Sequence, residues 1–205
     1  MKPEDMLGGA PVAKPYIRTR DVFQTDQDRG TEGYSEEALA LVAETEKTGV
    51  PEGANAIGMA GSAKHGTVAV QLFARVNPET HVIEEAGYRA HGCLAMIASG
   101  CAAAHWVEGR TVEQAAALTA EGLAEMRGPV PRDKSYTARY ATCAVRGMCG
   151  DFLIRNGATY EDMLARPHAC DDMSIDCVLC ENCSLRDQMV DLRIESRHRA
   201  AEAKE

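Results

Sequence analysis

The chain has 205 residues, 45% of them apolar and 26% charged, enough for one core-bearing domain with extensions or a small second module. A formal net charge of -9 argues against a general attraction to nucleic acid or anionic membranes. No apolar run is long enough to span a bilayer, and the start MKPEDMLGG lacks the pattern of a secretory signal, so a cytoplasmic location is expected.

Residues 1–33 read as an irregular arm, with Pro3, Pro11 and Pro15 and no sustained periodicity. A helix is expected from about Ser35 to Lys47, with Ser35 as N-cap, acidic Glu36 and Glu37 in the first turn, and Leu39, Leu41 and Val42 as its apolar face. The Gly- and Ala-rich stretch 51–66 reads as a loop. TVAVQLFARV and HVIEEAGYRA then form two strands around the turn Asn77-Pro78-Glu79-Thr80, an antiparallel hairpin. After Gly92 the pattern becomes helical. CLAMIASGCAAAHWVEG is small and apolar on most faces, as a buried helix ending near Gly109 would be. Thr111 and Gln114 make a capping box for a helix to about Met126, GPVPRD breaks it, and another helix is expected over 135–155. Thr159 and Asp162 start a short helix before Pro167. The last segment reads as a charged helix with a thin apolar stripe at Leu185, Met189 and Leu192, a solvated end or a partner contact.

Eight cysteines in a reducing compartment point to metal binding. Cys170, Cys177, Cys180 and Cys183 follow a C-x6-C-x2-C-x2-C spacing. Four thiolates suit either an iron–sulfur cluster or tetrahedral zinc. Structural zinc usually separates two C-x2-C pairs, whereas the crowding from Cys177 to Cys183 resembles the run with which bacterial ferredoxins hold a 4Fe-4S cube. A 4Fe-4S cluster is therefore the favoured occupant of the tail. Cys93 sits at a strand-to-helix junction, where unpaired amides and the helix dipole favour a thiolate. It reads as a ligand or sulfur acceptor, against the alternative of a small core residue. Cys101 and Cys149 read as core, although either is placed to complete a coordination sphere. His81, His91 and His105 have ordinary explanations, His105 as a cation near a helix C-terminus. No nucleophile–base pair or nucleotide motif stands out, so an independent enzyme is not expected.

EGANAIG (52–58), NPETHVIEEAGYRAHGC (77–93), IASG (97–100) and WVEGRTVEQA (106–115) together resemble the scaffold domain of the NifU/IscU family, over roughly residues 34–155. The resemblance implies an α+β fold, a small antiparallel β-sheet packed with helices, followed here by a small cysteine-rich C-terminal module. The implied division is an arm at 1–33, a scaffold domain at 34–157, and a cluster-binding module with charged helix at 158–205. Such scaffolds assemble a labile cluster with sulfur from a cysteine desulfurase and pass it to apo-acceptor proteins.

The family's second and third cysteines match Cys93 and Cys143. Its first cysteine falls on His65, its aspartate on Thr67, and the histidine before its third cysteine on Thr142. The resemblance thus implies a metal site of His65, Cys93 and Cys143 that holds a second iron–sulfur cluster or zinc. Imidazole can replace thiolate on iron, but threonine cannot act as a displaceable carboxylate. That loss leaves room for an electron-transfer subunit of a multi-subunit redox complex, with redox enzyme subunits as partners. A third reading is a zinc-bound structural or sulfur-transfer protein.

Overall fold

A computed structural model describes residues 30–62, 68–165 and 182–202. Its elements are α1 (Glu36–Ala43), β1 (Ala56–Ser62), β2 (Val68–Val76), β3 (Ile83–His91), α2 (Leu94–Val107), α3 (Val112–Ala116), α4 (Ala120–Arg127), α5 (Tyr136–Arg155), α6 (Tyr160–Leu164), β4 (Asn182–Cys183) and α7 (Ser184–Glu202), with a 3-10 turn at Arg132–Lys134. The strands form one antiparallel sheet in the order β3-β2-β1-β4. The fold is α+β, as the sequence implies.

Alternation on β2 sets the layers. Val70, Leu72, Ala74 and Val76 are buried at 2% exposure or less, while Gln71 and Arg75 on the other face are half-buried. The buried face meets α2, where Gly100 lies against Val70 and Tyr88, and it also meets α5. On the opposite face Arg75 pairs with Glu84 at 3.2 Å and Glu85 at 2.9 Å, and the Arg89 guanidinium lies over the Phe73 ring.

The reading of 51–66 as a loop is corrected by β1, an inner strand of the sheet. Gly and Ala disfavour strands by propensity, but here they permit a close approach. A Cβ on Gly58 would lie 2.0 Å from the Ala144 carbonyl oxygen and 2.2 Å from the Met148 amide nitrogen. Only a glycine lets the α5 backbone rest on β1. Gly147 is the matching gap on α5, where a Cβ would lie 2.2 Å from Ser184 Oγ.

Three further expectations change. The helix expected after Thr111 is two helices, because Thr119 caps a second start by accepting from the Gly122 amide at 3.0 Å. The first helix ends at Ala43 rather than near Lys47. His81 precedes β3 in a left-handed turn at φ 56°, its amide donating to the Asn77 carbonyl. The charged C-terminal helix, α7, buries the expected stripe of Leu185, Met189 and Leu192, and Gln188 Nε2 donates to the Gly147 carbonyl at 3.1 Å.

One ion pair links segments distant in sequence. Lys47 Nζ donates to both Glu108 carboxylate oxygens at 2.7 and 2.8 Å, and Glu108 also accepts from the Ala86 amide at 2.8 Å. The Glu108 hydrogen bond raises the Lys47 pKa above the ordinary lysine value. The pair's contribution is therefore full below that value and is lost as pH rises through the raised one.

Gly58→Ala is expected to cost about 3 kcal/mol, because the methyl group must push α5 off β1. Chemical denaturation checks it; a loss within experimental error would show that the seam is not rigid. Glu108→Ala is expected to cost about 2 kcal/mol by stranding Lys47 and the Ala86 amide. The difference from the parent chain should shrink at pH values above the lysine range.

Candidate metal centre

Cys93 enters the site through backbone geometry. Gly92, at φ 125°, turns the chain from β3 into α2, and Cys93 becomes the N-cap of that helix without using its side chain as the cap. The thiol is 7% exposed and sits at the positive end of the helix dipole.

Two groups that the motif reading did not single out stand beside it. Tyr136, at the start of α5, hydrogen-bonds to Cys93, and burial is the first cause of the upward shift of its phenol. Arg127, the last residue of α4, is 3% exposed. Burial lowers its pKa, while the charges of Tyr34 and Cys93 act in the other direction. Arg127 Nη1 donates to Ser99 Oγ at 3.0 Å and to Thr137 Oγ1 at 2.8 Å. Ser99 in turn donates to the Ala95 carbonyl, and Thr137 to the Lys134 carbonyl. The cation is thus held by α2 and α5 near Cys93. No sequence signal isolates it, since an arginine ending a helix is usually a surface dipole partner.

Cys143 lies in the middle of α5 and is 5% exposed. Its neighbour Thr142, at the family's histidine position, spends its hydroxyl on its own helix, with the Arg139 carbonyl at 2.8 Å and the Ala138 carbonyl at 3.2 Å. His65 and Thr67 lie outside the described residues. The strand ends flanking them do not: Ser62 pairs with Val68, and the next residue, Ala69, pairs with His91, two positions before Cys93. The end of β1, the start of β2 and Cys93 therefore belong to the same end of the sheet.

Of the tail cysteines, Cys170, Cys177 and Cys180 lie outside the described residues. Cys183 is buried in β4, opposite Ala60 of β1. The following Ser184 fixes this junction, its Oγ accepting from the Met59 amide at 2.8 Å.

Cys101 and Cys149 are 0% and 2% exposed, as core residues are. Cys101 nevertheless has polar company. Its thiol, Glu44 and His105 place their donor atoms within 4.8 Å of one another. Burial, followed by the Glu44 charge, pushes the Cys101 thiol up to about 12. Tyr88 hydrogen-bonds to it, and burial raises that phenol too.

Comparison with known proteins follows the same stretch of chain. The nitrogen fixation protein NifU of Azotobacter chroococcum mcd 1 is 35% identical over 114 residues, which covers 56% of this chain and 35% of that protein. This chain thus spans about a third of that relative's length. The iron-sulfur cluster assembly scaffold protein IscU of Aquifex aeolicus (strain VF5) is 28% identical over 128 residues, 62% of this chain and 81% of that one. The crystal structure of a nitrogen-fixing NifU-like protein (N-terminal) from Brucella abortus aligns over 60% of this chain and 95% of that one, at 18% identity and a TM-score of 0.44. The sequence model of the NifU-like N terminal domain family matches residues 33–159, more than half of the sequence, and the chain belongs to that family.

Proposed function

We propose that this protein is an iron–sulfur cluster assembly scaffold whose cargo cluster is built on Cys93 and Cys143, with His65 as a third donor. The observation that carries the reading is Cys93, buried at the N-terminus of α2 with Arg127 and Tyr136 beside it, inside the family-matched stretch. An anionic sulfur centre needs positive charge and hydrogen-bond donors where water is excluded. The helix amides, the guanidinium and the phenol supply both. Thiolate and imidazole donors suit iron and zinc alike, and the names of the NifU and IscU relatives favour the cluster.

In this reading the cluster is cargo. A cysteine desulfurase delivers sulfur, apo-acceptor proteins take the finished cluster, and the chain itself catalyses no separate reaction. Residues 34–157 form the scaffold, 1–33 an arm and 158–205 a module in which Cys170, Cys177, Cys180 and Cys183 hold a second, resident 4Fe-4S cluster. The anchoring of Cys183 on β1 supports a module that is tethered to the scaffold body at one ligand. A cytoplasmic site of action fits the free-thiol chemistry.

Anaerobic iron and sulfide analysis before and after mild chelation tests the scheme. Iron should leave the central site and stay in the tail. Cys93→Ser should abolish the chelatable fraction and leave the tail iron unchanged; full retention of iron by the parent chain would contradict a scaffold role. Arg127→Met should speed iron loss to the chelator several-fold, because it removes the buried positive charge beside Cys93 while preserving bulk. Unchanged kinetics in a folded variant would show that the charge does not act on the cluster.

A further inference from the structure

A second group of donors lies on the other half of α2. Cys101 and His105 are four residues apart and so share one face of the helix. Glu44, the C-cap of α1, reaches the same face, and its Oε1 lies 2.5 Å from His105 Nε2. The three donor atoms fall within 4.8 Å of one another, a spread that one ion can bridge. Cys101 is fully buried, whereas the side chains of Glu44 and His105 are 30% and 41% exposed. The group therefore has a closed sulfur floor and an opening to solvent.

From this geometry we infer that Glu44, Cys101 and His105 form a divalent cation site of the zinc class, separate from the cluster site. Thiolate, imidazole and carboxylate are donors that zinc accepts together, with one position left for water. One thiolate and one carboxylate also neutralise a divalent ion. Cys101 is eight residues beyond Cys93, roughly 12 Å along the helix, too far for the two cysteines to share an ion. Lys47 is a positive charge felt at Cys101, but its ammonium is taken up by Glu108. On binding, the Cys101 proton passes to solvent and the sulfur–metal bond takes its place. The ion ties the end of α1 to α2. The inference does not depend on the scaffold reading, because none of its ligands belongs to the cluster site.

Cadmium NMR on the full chain distinguishes the sites, since the chemical shift reports the number of sulfur ligands. One resonance of a one-sulfur environment is expected. It should vanish in Cys101→Ser and in His105→Gln while the sulfur-richer resonances stay, and it should persist in Cys93→Ser. Zinc should raise the Tm of the Cys93→Ser chain more than that of the chain that also carries His105→Gln. His105 is partly exposed, so His105→Gln decides the matter if Cys101→Ser fails to fold. Absence of a one-sulfur resonance in the parent chain, or its survival in His105→Gln, overturns the inference.

Discussion

The backbone of α5 lies directly on the backbone of β1, with no side chain between them at Gly58. Gly58 and Gly147 face one another across the seam, the Cβ position of Gly147 being 3.5 Å from Gly58 Cα. Packing at this distance gains dispersion contacts along the whole line and tolerates no added methyl. The seam also fixes what lies around it. Ser184 bonds both backbone groups of Met59, and Gln188 bonds Gly147, so α7 docks on the same junction. Asp151 Oδ2, near the other end of α5, accepts from the Ile57 amide and holds the axial register of helix against strand.

That register decides which residues of α5 reach the Cys93 end of the sheet. Ile57 is matched to Asp151 and Gly58 to Ala144 and Met148, so the helix runs back toward its own N-terminus as β1 advances toward Ser62. The N-terminal half of α5, with Tyr136, Thr137 and Cys143, is thereby carried toward the sheet end where β3 hands over to α2 at Cys93. The Arg127 bonds to Ser99 and Thr137 then join α4, α2 and α5 at one buried cation. Burying an unpaired guanidinium is costly, and the hydroxyls alone do not neutralise it. In the proposed scaffold, an anionic cluster held at Cys93 would offset that cost.

Much of this was legible in the sequence where a side chain announces its own environment. The β2–β3 hairpin followed from alternation around Asn77-Pro78, the starts of α1 and α3 from Ser35 and Thr111, and the stripe of α7 from Leu185, Met189 and Leu192. β1 was not legible, because its signal is the absence of side chains: glycine and alanine state no preference until the helix they admit is known. The split between α3 and α4 was lost for the opposite reason, since the Thr119 cap is masked by helix formers on both sides. At the candidate site, Cys93 entered through its strand-to-helix junction and Cys143 through the family resemblance. Arg127 and Tyr136 were not legible, because their role depends on burial created by helices far from them in sequence.

The physical logic of α2 links its two groups of donors. Half of its residues are alanine, glycine or serine, and its sulfur atoms are those of Met96 and Cys101, with Cys93 as its N-cap. The peptide dipoles make the Cys93 end partially positive and the His105 end partially negative. The proposed iron–sulfur cargo falls at the first and the proposed cation at the second. The residues recruited from other elements follow the same polarity: Arg127 comes to the N-terminal end, and Glu44 joins His105 in the last turn. A carboxylate at the negative end of a helix is unfavourable by itself. A divalent cation held between Glu44, Cys101 and His105 removes that conflict, so the same helix field that favours the cluster at one end favours a metal ion toward the other.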